Sequence, residues 1–406
     1  MRRTWILMAA CAITLSAVEA FACTGLLVGK KASVDGSVMI SYAADSHTLY
    51  GELYRWPAAT WPKGASLDII EWDTHKPLGQ IPQVEQTYSV VGNMNEHQVA
   101  ITESTFGGRS ELVDTTGIMD YGSLIYVTLQ RSKTAREAIR IMTDLVKDYG
   151  YYSSGETFSI ADKNEAWVME MIGKGPGNKG AVWVAIRIPD DCISAHANQS
   201  RIQQIPFDDK ENCIYSPDVV SFAREKGYFS GKDKDFSFQK AYCPYDFSAL
   251  RGCEARVWSF FRKYDKSMDQ YTDLIKGDVT KKPMPLYVKP NRLLSVQDVQ
   301  NGMRDHFEGT DLDMTKDAGA GPYKVPYRWR PMTFEVDGQE YTNERAIATQ
   351  QTGFVIVPQM RNWLPDAVGG ILWFGVDDAD MAVFTPIYCS VTASPECYRV
   401  GNGDMM

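Results

Sequence analysis

From residue 24 onward, short apolar runs alternate with polar turns. Leu26-Leu27-Val28, the turn Ser33-Val34-Asp35-Gly36, and Val38-Met39-Ile40 predict a hairpin over residues 24–42. The period then lengthens. Thr134 and Glu137 form a capping-box pattern ahead of Ala138, Ile141, Met142, Leu145, Val146 and Tyr149, with Gly150 closing the stretch, which predicts an amphipathic helix. Strands are predicted at Thr157 to Ala161, Ala166 to Ile172, Ala181 to Ile188 and Ile193 to His196. Helix starts follow at Ser216-Pro217-Asp218 and at Ser295 with Asp298, and Arg256 to Tyr264 carries an apolar face of Val257, Phe260 and Phe261. Strands return at Gly353 to Val357, Ile371 to Val376 and Ala382 to Tyr388. Strands at both ends with strands and helices between fit one α+β layered domain, with an irregular surface insert at about residues 276–330.

The first residues have a different pattern. Arg2 and Arg3, an apolar stretch from Trp5 to Val18 and the small-x-small site Ala20-Phe21-Ala22 read as an export signal, residues 1–22, cut to leave a chain over 23–406 that starts at Cys23. No later stretch holds the about 18 uninterrupted apolar residues of a membrane span. A net charge of -9 without any Lys/Arg-rich run excludes nucleic-acid binding.

Eight cysteines change the picture further, because Cys11 leaves with the signal and an odd number remains. In an oxidising compartment this predicts one free thiol, Cys23, and bridges among the other six; these allow 15 connectivities that sequence does not decide, of which the sequential set, Cys192 with Cys213, Cys243 with Cys253 and Cys389 with Cys397, is the expected one. No couple has zinc or thioredoxin spacing, and with five histidines no metal site or cofactor is expected.

Cys23 has competing readings. A lipid anchor is disfavoured by Ala20 and bulky Phe21 before it and by the strand-like Thr24-Gly25-Leu26-Leu27-Val28 where a polar tether would stand. A nucleophile has a chemical rationale: cleavage at Ala22 gives Cys23 a free α-amine, which can serve as base for its own thiol. The amine titrates at about 7.7–8 and the thiol at about 8.5, so proton exchange between them costs little. No Ser-His-Asp or Cys-His pattern is present, and His196 reads as a satisfied structural histidine rather than a base. Asn198-Gln199-Ser200 fits a glycosylation sequon, which a buried site residue could not use.

Cys23-Thr24, Val28-Gly29-Lys30-Lys31-Ala32-Ser33, Asp35-Gly36-Ser37 and Asp45-Ser46 resemble the opening of the dipeptidase A-type cysteine peptidases, within the N-terminal nucleophile hydrolases. The choloylglycine hydrolase and penicillin V acylase group is a more distant likeness. Similarity continues through Gly92-Asn93-Met94-Asn95-Glu96, Ser194 to Ile202, Arg256-Val257-Trp258, Leu372-Trp373-Phe374 and Pro386-Ile387-Tyr388. The resemblance implies a four-layer αββα sandwich and amide hydrolysis through a thioester. It also implies roles: Cys23 as nucleophile, Asp45 holding the cysteine amine, Asn198 positioning substrate or serving the oxyanion hole, Arg256 beside the site, and Thr105 as a polar contact. One position departs. Relatives usually carry Arg three residues before the aspartate, and here Tyr42 stands there, so either Arg256 or the Tyr42 hydroxyl takes over near the sulfur, or activity is altered.

The expectation is an exported cysteine peptidase acting on dipeptides or very short peptides. The alternatives are an acylase cleaving a non-peptide amide such as a conjugated bile acid or penicillin V, and a non-enzymatic lipoprotein acylated at Cys23.

Overall fold

The computed structural model describes residues 23–46, 51–328 and 333–400. The expected leader and the last residues of the expected insert lie outside them. Two eight-stranded antiparallel sheets organise the chain, with nearby helices. Sheet I runs Tyr287–Val288, Ile193–His196, Gly25–Val28, Val38–Ile40, Thr352–Met360, Ile371–Val376 and Thr385–Tyr388, and Tyr42–Asp45 also pairs with Thr352–Met360. Sheet II runs Cys213–Tyr215, Ala181–Ile188, Ala166–Gly173, Gly155–Ala161, Ala100–Gly107, Met94–Asn95, Val90–Val91 and Arg55–Trp56.

Side-chain alternation along the first hairpin strand shows how the sheets are covered. Leu26 and Val28 enter a core with Val257, Phe260 and Phe261 of helix Ala255–Tyr264 and with Val299 and Met303 of helix Val296–Met303. Leu27, facing the other way, joins a core with Ala100, Val168, Val182 and Val184 of sheet II. The opposite face of sheet II, through Ile101, Phe158 and Trp167, packs on Ala138, Ile139 and Met142 of helix Ala135–Tyr149. Both sheets are thus covered on both faces, so strands such as Gly155–Ala161 and Ala166–Gly173 are buried at every position. Each fully buried Leu, Val, Phe or Met contributes about 1.5–3 kcal/mol to this packing.

The local signals act where they stand. Thr134 caps helix Ala135–Tyr149 by accepting from the Glu137 N–H, while Glu137 reaches back to the Lys133 N–H, one residue earlier than in a reciprocal box. Gly150 ends the helix at φ +81°, a conformation that costs glycine little. Ser295 and Asp298 form a full capping box. The helix expected from Ser216 starts later, at Val219, because the Ser216 hydroxyl accepts from the Trp183 N–H of the neighbouring strand. Helix Tyr121–Leu129 gave no amphipathic signal since seven of its nine residues are buried. The stretch from Lys276 is irregular in part, but it contains helix Val296–Met303 and places Met284, Leu294, Phe307 and Leu312 in the core.

The three expected disulfides are absent: Cys23, Cys192, Cys213, Cys243, Cys253, Cys389 and Cys397 are all free. Closeness in sequence does not aim sulfur at sulfur. Cys389 is buried with Sγ 3.2 Å from the Asp366 carbonyl oxygen, whereas Cys397 is exposed. Cys243 Sγ faces the Phe106 carbonyl at 3.7 Å. The odd cysteine count therefore gives no support to a special role for Cys23, and that case rests on geometry.

Candidate active site

Thr24 bridges Ala43, and Gly25 pairs with His196, so Cys23 lies just beyond the end of its strand, at the mouth of the hairpin. The close approach at Gly25 is obligatory. A Cβ there would sit 2.6 Å from two atoms of the His196 ring. That ring is held at both nitrogens, by Ser104 Oγ at 2.6 Å and Ser159 Oγ at 2.7 Å. Burial, with Arg201 and Arg256 nearby, holds the imidazole neutral, its pKa lowered to about 3, so His196 is structural and no base. Gly25→Ala is expected to cost about 1–3 kcal/mol, read as a lower urea midpoint; an unchanged midpoint would mean that the ring can move aside.

Cys23 is buried, with Sγ 3.6 Å from the Tyr42 hydroxyl oxygen and 3.5 Å from Glu103 Oε1. The Tyr42 hydroxyl donates to the same Glu103 oxygen. These groups line a pocket of about 410 Å³ whose walls include the aromatic residues Tyr54, Trp72, Tyr121, Tyr126, Phe354 and Phe374. Pockets of this size suit small-molecule ligands. Sheet I supplies Cys23, Tyr42 and Asp45; sheet II supplies Glu103 and Thr105; helix Tyr121–Leu129 closes one side.

Arg256 sits in the first turn of its helix, directly after a π-helical turn at Ala249–Glu254, an irregularity often found at functional sites. Its guanidinium is fully buried and all five N–H donors are used. Nη1 donates to the Cys23 carbonyl at 2.8 Å and to Thr24 Oγ1 at 2.7 Å. Nη2 donates to the Ala197 carbonyl at 3.2 Å and to Asn198 Oδ1 at 2.9 Å, and Nε donates to the Gly252 carbonyl at 2.7 Å. Asn198, at φ +55°, in turn donates from Nδ2 to the Thr105 carbonyl at 2.7 Å. Asparagine tolerates this left-handed turn better than most residues. The Thr105 hydroxyl donates to Glu156 Oε1 at 2.7 Å.

Four of the six residues singled out from the sequence, Cys23, Tyr42, Asp45 and Thr105, line one pocket, and Arg256 and Asn198 lie behind it, joined to Cys23 and Thr105 through their carbonyls. Arg256 clamps the backbone of Cys23 and does not touch the sulfur; the Tyr42 hydroxyl does. Asn198 braces Arg256 against sheet II, with its side chain engaged so that a glycan there would break the clamp. Asp45 is buried, accepts from Thr352 Oγ1 at 2.6 Å and forms an ion pair with Arg345. Burial raises the Asp45 pKa, against the pull of Arg345 and Thr352.

Sequence reasoning missed Glu103, Glu156, Arg345 and Thr352. The strand Ala100–Gly107 carrying Glu103 was itself not predicted, although Val99-Ala100-Ile101-Thr102 is rich in strand formers. A carboxylate inside such a run was the available signal, since buried Glu is rare unless it is paired or functional. Burial raises Glu103 to about 6 while the Tyr42 hydrogen bond draws it down. Glu156 beside it is raised well above the ordinary carboxylate range, by burial and then by the Glu103 charge. Of the two, Glu156 is the harder to ionise, so Glu103 takes the charge of the pair first. Burial pushes the Cys23 thiol well up, and Glu103 and Asp45 add to this. Arg256 is lowered to about 10, first by burial and then by Arg345.

In the resting site the Tyr42 hydroxyl accepts from the thiol and gives its proton to Glu103; once the thiol ionises, the phenol can turn that proton to the sulfur and, with the Asp45 backbone N–H, favour the thiolate without the fixed charge of an arginine. Tyr42→Phe is expected to lower kcat/KM about tenfold, the value of one hydrogen bond to a charged group. A Phe enzyme with wild-type kinetics would show that the hydroxyl is a bystander.

A thiol at the floor of a pocket sized for a small ligand defines, with the whole-chain similarity, a cysteine-type peptidase. The profile described as Peptidase family C69 matches residues 22–54 and 52–406, so the chain belongs to peptidase family C69. It is 27% identical over 409 residues to a "Probable dipeptidase" of Latilactobacillus sakei, covering 94% of this chain and 77% of that one. A "Probable dipeptidase" of Salmonella dublin is 26% identical over 404 residues, covering 93% and 83%. "Dipeptidase A" of Lactobacillus helveticus is 24% identical over 401 residues, covering 93% and 77%. Among the described residues no helix is long and apolar enough to cross a membrane.

Proposed function

We propose that this protein is an exported dipeptidase whose mature chain begins at Cys23, a single domain of the N-terminal nucleophile hydrolase type in which helices, sheet I, sheet II and helices stack as a four-layer αββα sandwich. The three cores, each holding one interface of that stack, support the architecture. The observation that carries the function is the position of the Cys23 sulfur: it lines the pocket on the first residue after the small-x-small site, with its own carbonyl clamped by Arg256.

In this reading the α-amine of Cys23 takes the thiol proton, and the thiolate attacks the amide carbonyl. The Tyr42 hydroxyl, turning its proton from Glu103 to the ionised sulfur, lowers the cost of the thiolate in a site that otherwise disfavours it. Backbone N–H groups stabilise the tetrahedral oxyanion, while Asn198 holds Arg256 in place behind Cys23. The Cys23 ammonium then protonates the leaving amine as the C–N bond breaks, leaving a thioester. Water, losing its proton to the same amine, hydrolyses the thioester and restores the thiol. Asp45, held by Arg345 and Thr352, orients the amine.

The test is twofold. N-terminal sequencing and intact mass of the exported protein should give Cys23 as a free first residue; added acyl chains would make it a lipoprotein. The processed protein, offered a dipeptide panel, a glycine-conjugated bile acid and penicillin V, should cleave dipeptides. Preference for either of the other two would make it an acylase.

A further inference from the structure

Nothing in the thioester chemistry requires Glu103, yet it is the acidic group nearest the nucleophile. If the enzyme is a dipeptidase, its substrate gives Glu103 a task. In a dipeptide the attacked carbonyl carbon is two bonds from a free α-ammonium, about 2.5 Å away. A carbonyl carbon poised about 3–3.5 Å from Sγ puts that ammonium within a few ångströms of the sulfur. Glu103 Oε1 occupies this range, 3.5 Å from Sγ on the pocket wall. Resting on the dipeptidase function proposed above, we infer that Glu103 is the specificity-determining anchor for the substrate α-ammonium, so that the enzyme acts only on peptides with a free amino end.

Three observations converge on this role. The Tyr42 hydroxyl fixes Glu103 Oε1 at the sulfur, and the lone pair facing the thiol is released once the thiol proton has moved to the Cys23 amine. The described residues lining the pocket include Asp45, Glu52, Glu71, Asp73 and Glu103 and no Lys or Arg, a field that attracts a cation and repels a substrate carboxylate from this end. The Glu103–Glu156 pair is buried, so its charge is poorly screened by water, and an arriving ammonium compensates it. An N-acyl group removes the cation and leaves that charge facing a neutral amide.

The experiment compares Ala-Ala with N-acetyl-Ala-Ala on mass-verified processed enzyme. The wild type should prefer the free dipeptide by about 100-fold or more in kcat/KM, the loss typical when one partner of a buried charge pair is removed. Glu103→Gln should erase the preference through KM, bringing the two substrates within about threefold of each other. A Glu103→Gln enzyme that keeps the preference would overturn the inference, as would an equal loss of kcat on both substrates, which would make Glu103 a proton carrier. Should the wild type cleave neither substrate, the dipeptidase reading fails, and binding of phenylalaninol against N-acetylphenylalaninol by calorimetry still decides the anchor: selective binding lost in Glu103→Gln supports it, and unselective binding refutes it. If Glu103→Gln does not fold, the wild-type pH profile substitutes. The titratable groups facing Glu103 are Cys23, with its α-amine in the processed chain, Tyr42, Asp73, Tyr121, Tyr151 and Glu156, of which the thiol and the phenols are uncharged in the resting site. Glu103 is an anion above about 6, so the KM for Ala-Ala should rise as pH falls through that value. A KM that stays level there would refute the anchor.

Discussion

Enzyme that keeps Ala22 joined to Cys23 is expected to hydrolyse dipeptides about 10²–10⁴-fold more slowly than enzyme beginning at Cys23, the range that a lost general base commands. Peptide linkage converts the amine into an amide nitrogen, which is not basic. The neighbours cannot replace it. His196 is bonded at both nitrogens and held neutral, and Glu103, though close, raises the thiol pKa by its charge. With burial acting in the same direction, the unprocessed thiol stays protonated at neutral pH. The comparison uses two proteins verified by mass, one starting at Ala22 and one at Cys23, assayed on the same dipeptide. Equal rates would eliminate the amine as base and move that role to Glu103. Cys23→Ser in the processed form should be inactive as well, since a hydroxyl is far harder to deprotonate at this site than a thiol.

Arg256→Ala should produce the largest loss of stability, about 3–5 kcal/mol, because it strips five hydrogen bonds from a buried cluster and leaves three backbone carbonyls without that donor. Activity should fall further than stability alone explains. The Cys23 carbonyl and the Asn198 brace both lose their fixed partner, and a displacement of about 1 Å at a reacting group can cost about 100-fold. Arg256→Lys separates charge from geometry: it keeps the cation but has three donors at one point and no planar fork, so it should recover little of either quantity. Urea unfolding and kcat/KM on both variants make the check. Wild-type stability for Arg256→Ala would mean that the clamp is not formed in solution.

The first hairpin, the capped helices and the return to strands near the C-terminal end were legible because each depends on neighbours within a few residues: alternation at period two, a cap three residues from its partner, a glycine after the last turn. The reading of Cys23 was local in the same way, since a small-x-small pattern and the residue after it are adjacent in the chain. What the sequence determined by itself was therefore the chemistry available at one position and the elements that would carry it.

The tertiary structure alone decided how that chemistry is surrounded. Arg345 meets Asp45 across 300 residues, and Glu103 meets Cys23 across 80, so no local spacing records either pair. Tyr42 and Arg256 could each have supplied the group beside the sulfur. Packing gave the sulfur to the phenol and the backbone to the guanidinium, because Arg256 enters from a helix behind the strand and finds carbonyls there. The cysteine pairs failed for a complementary reason. A disulfide needs two Cβ vectors turned toward each other, and that orientation is set by the packing of whole elements, not by the number of residues between them.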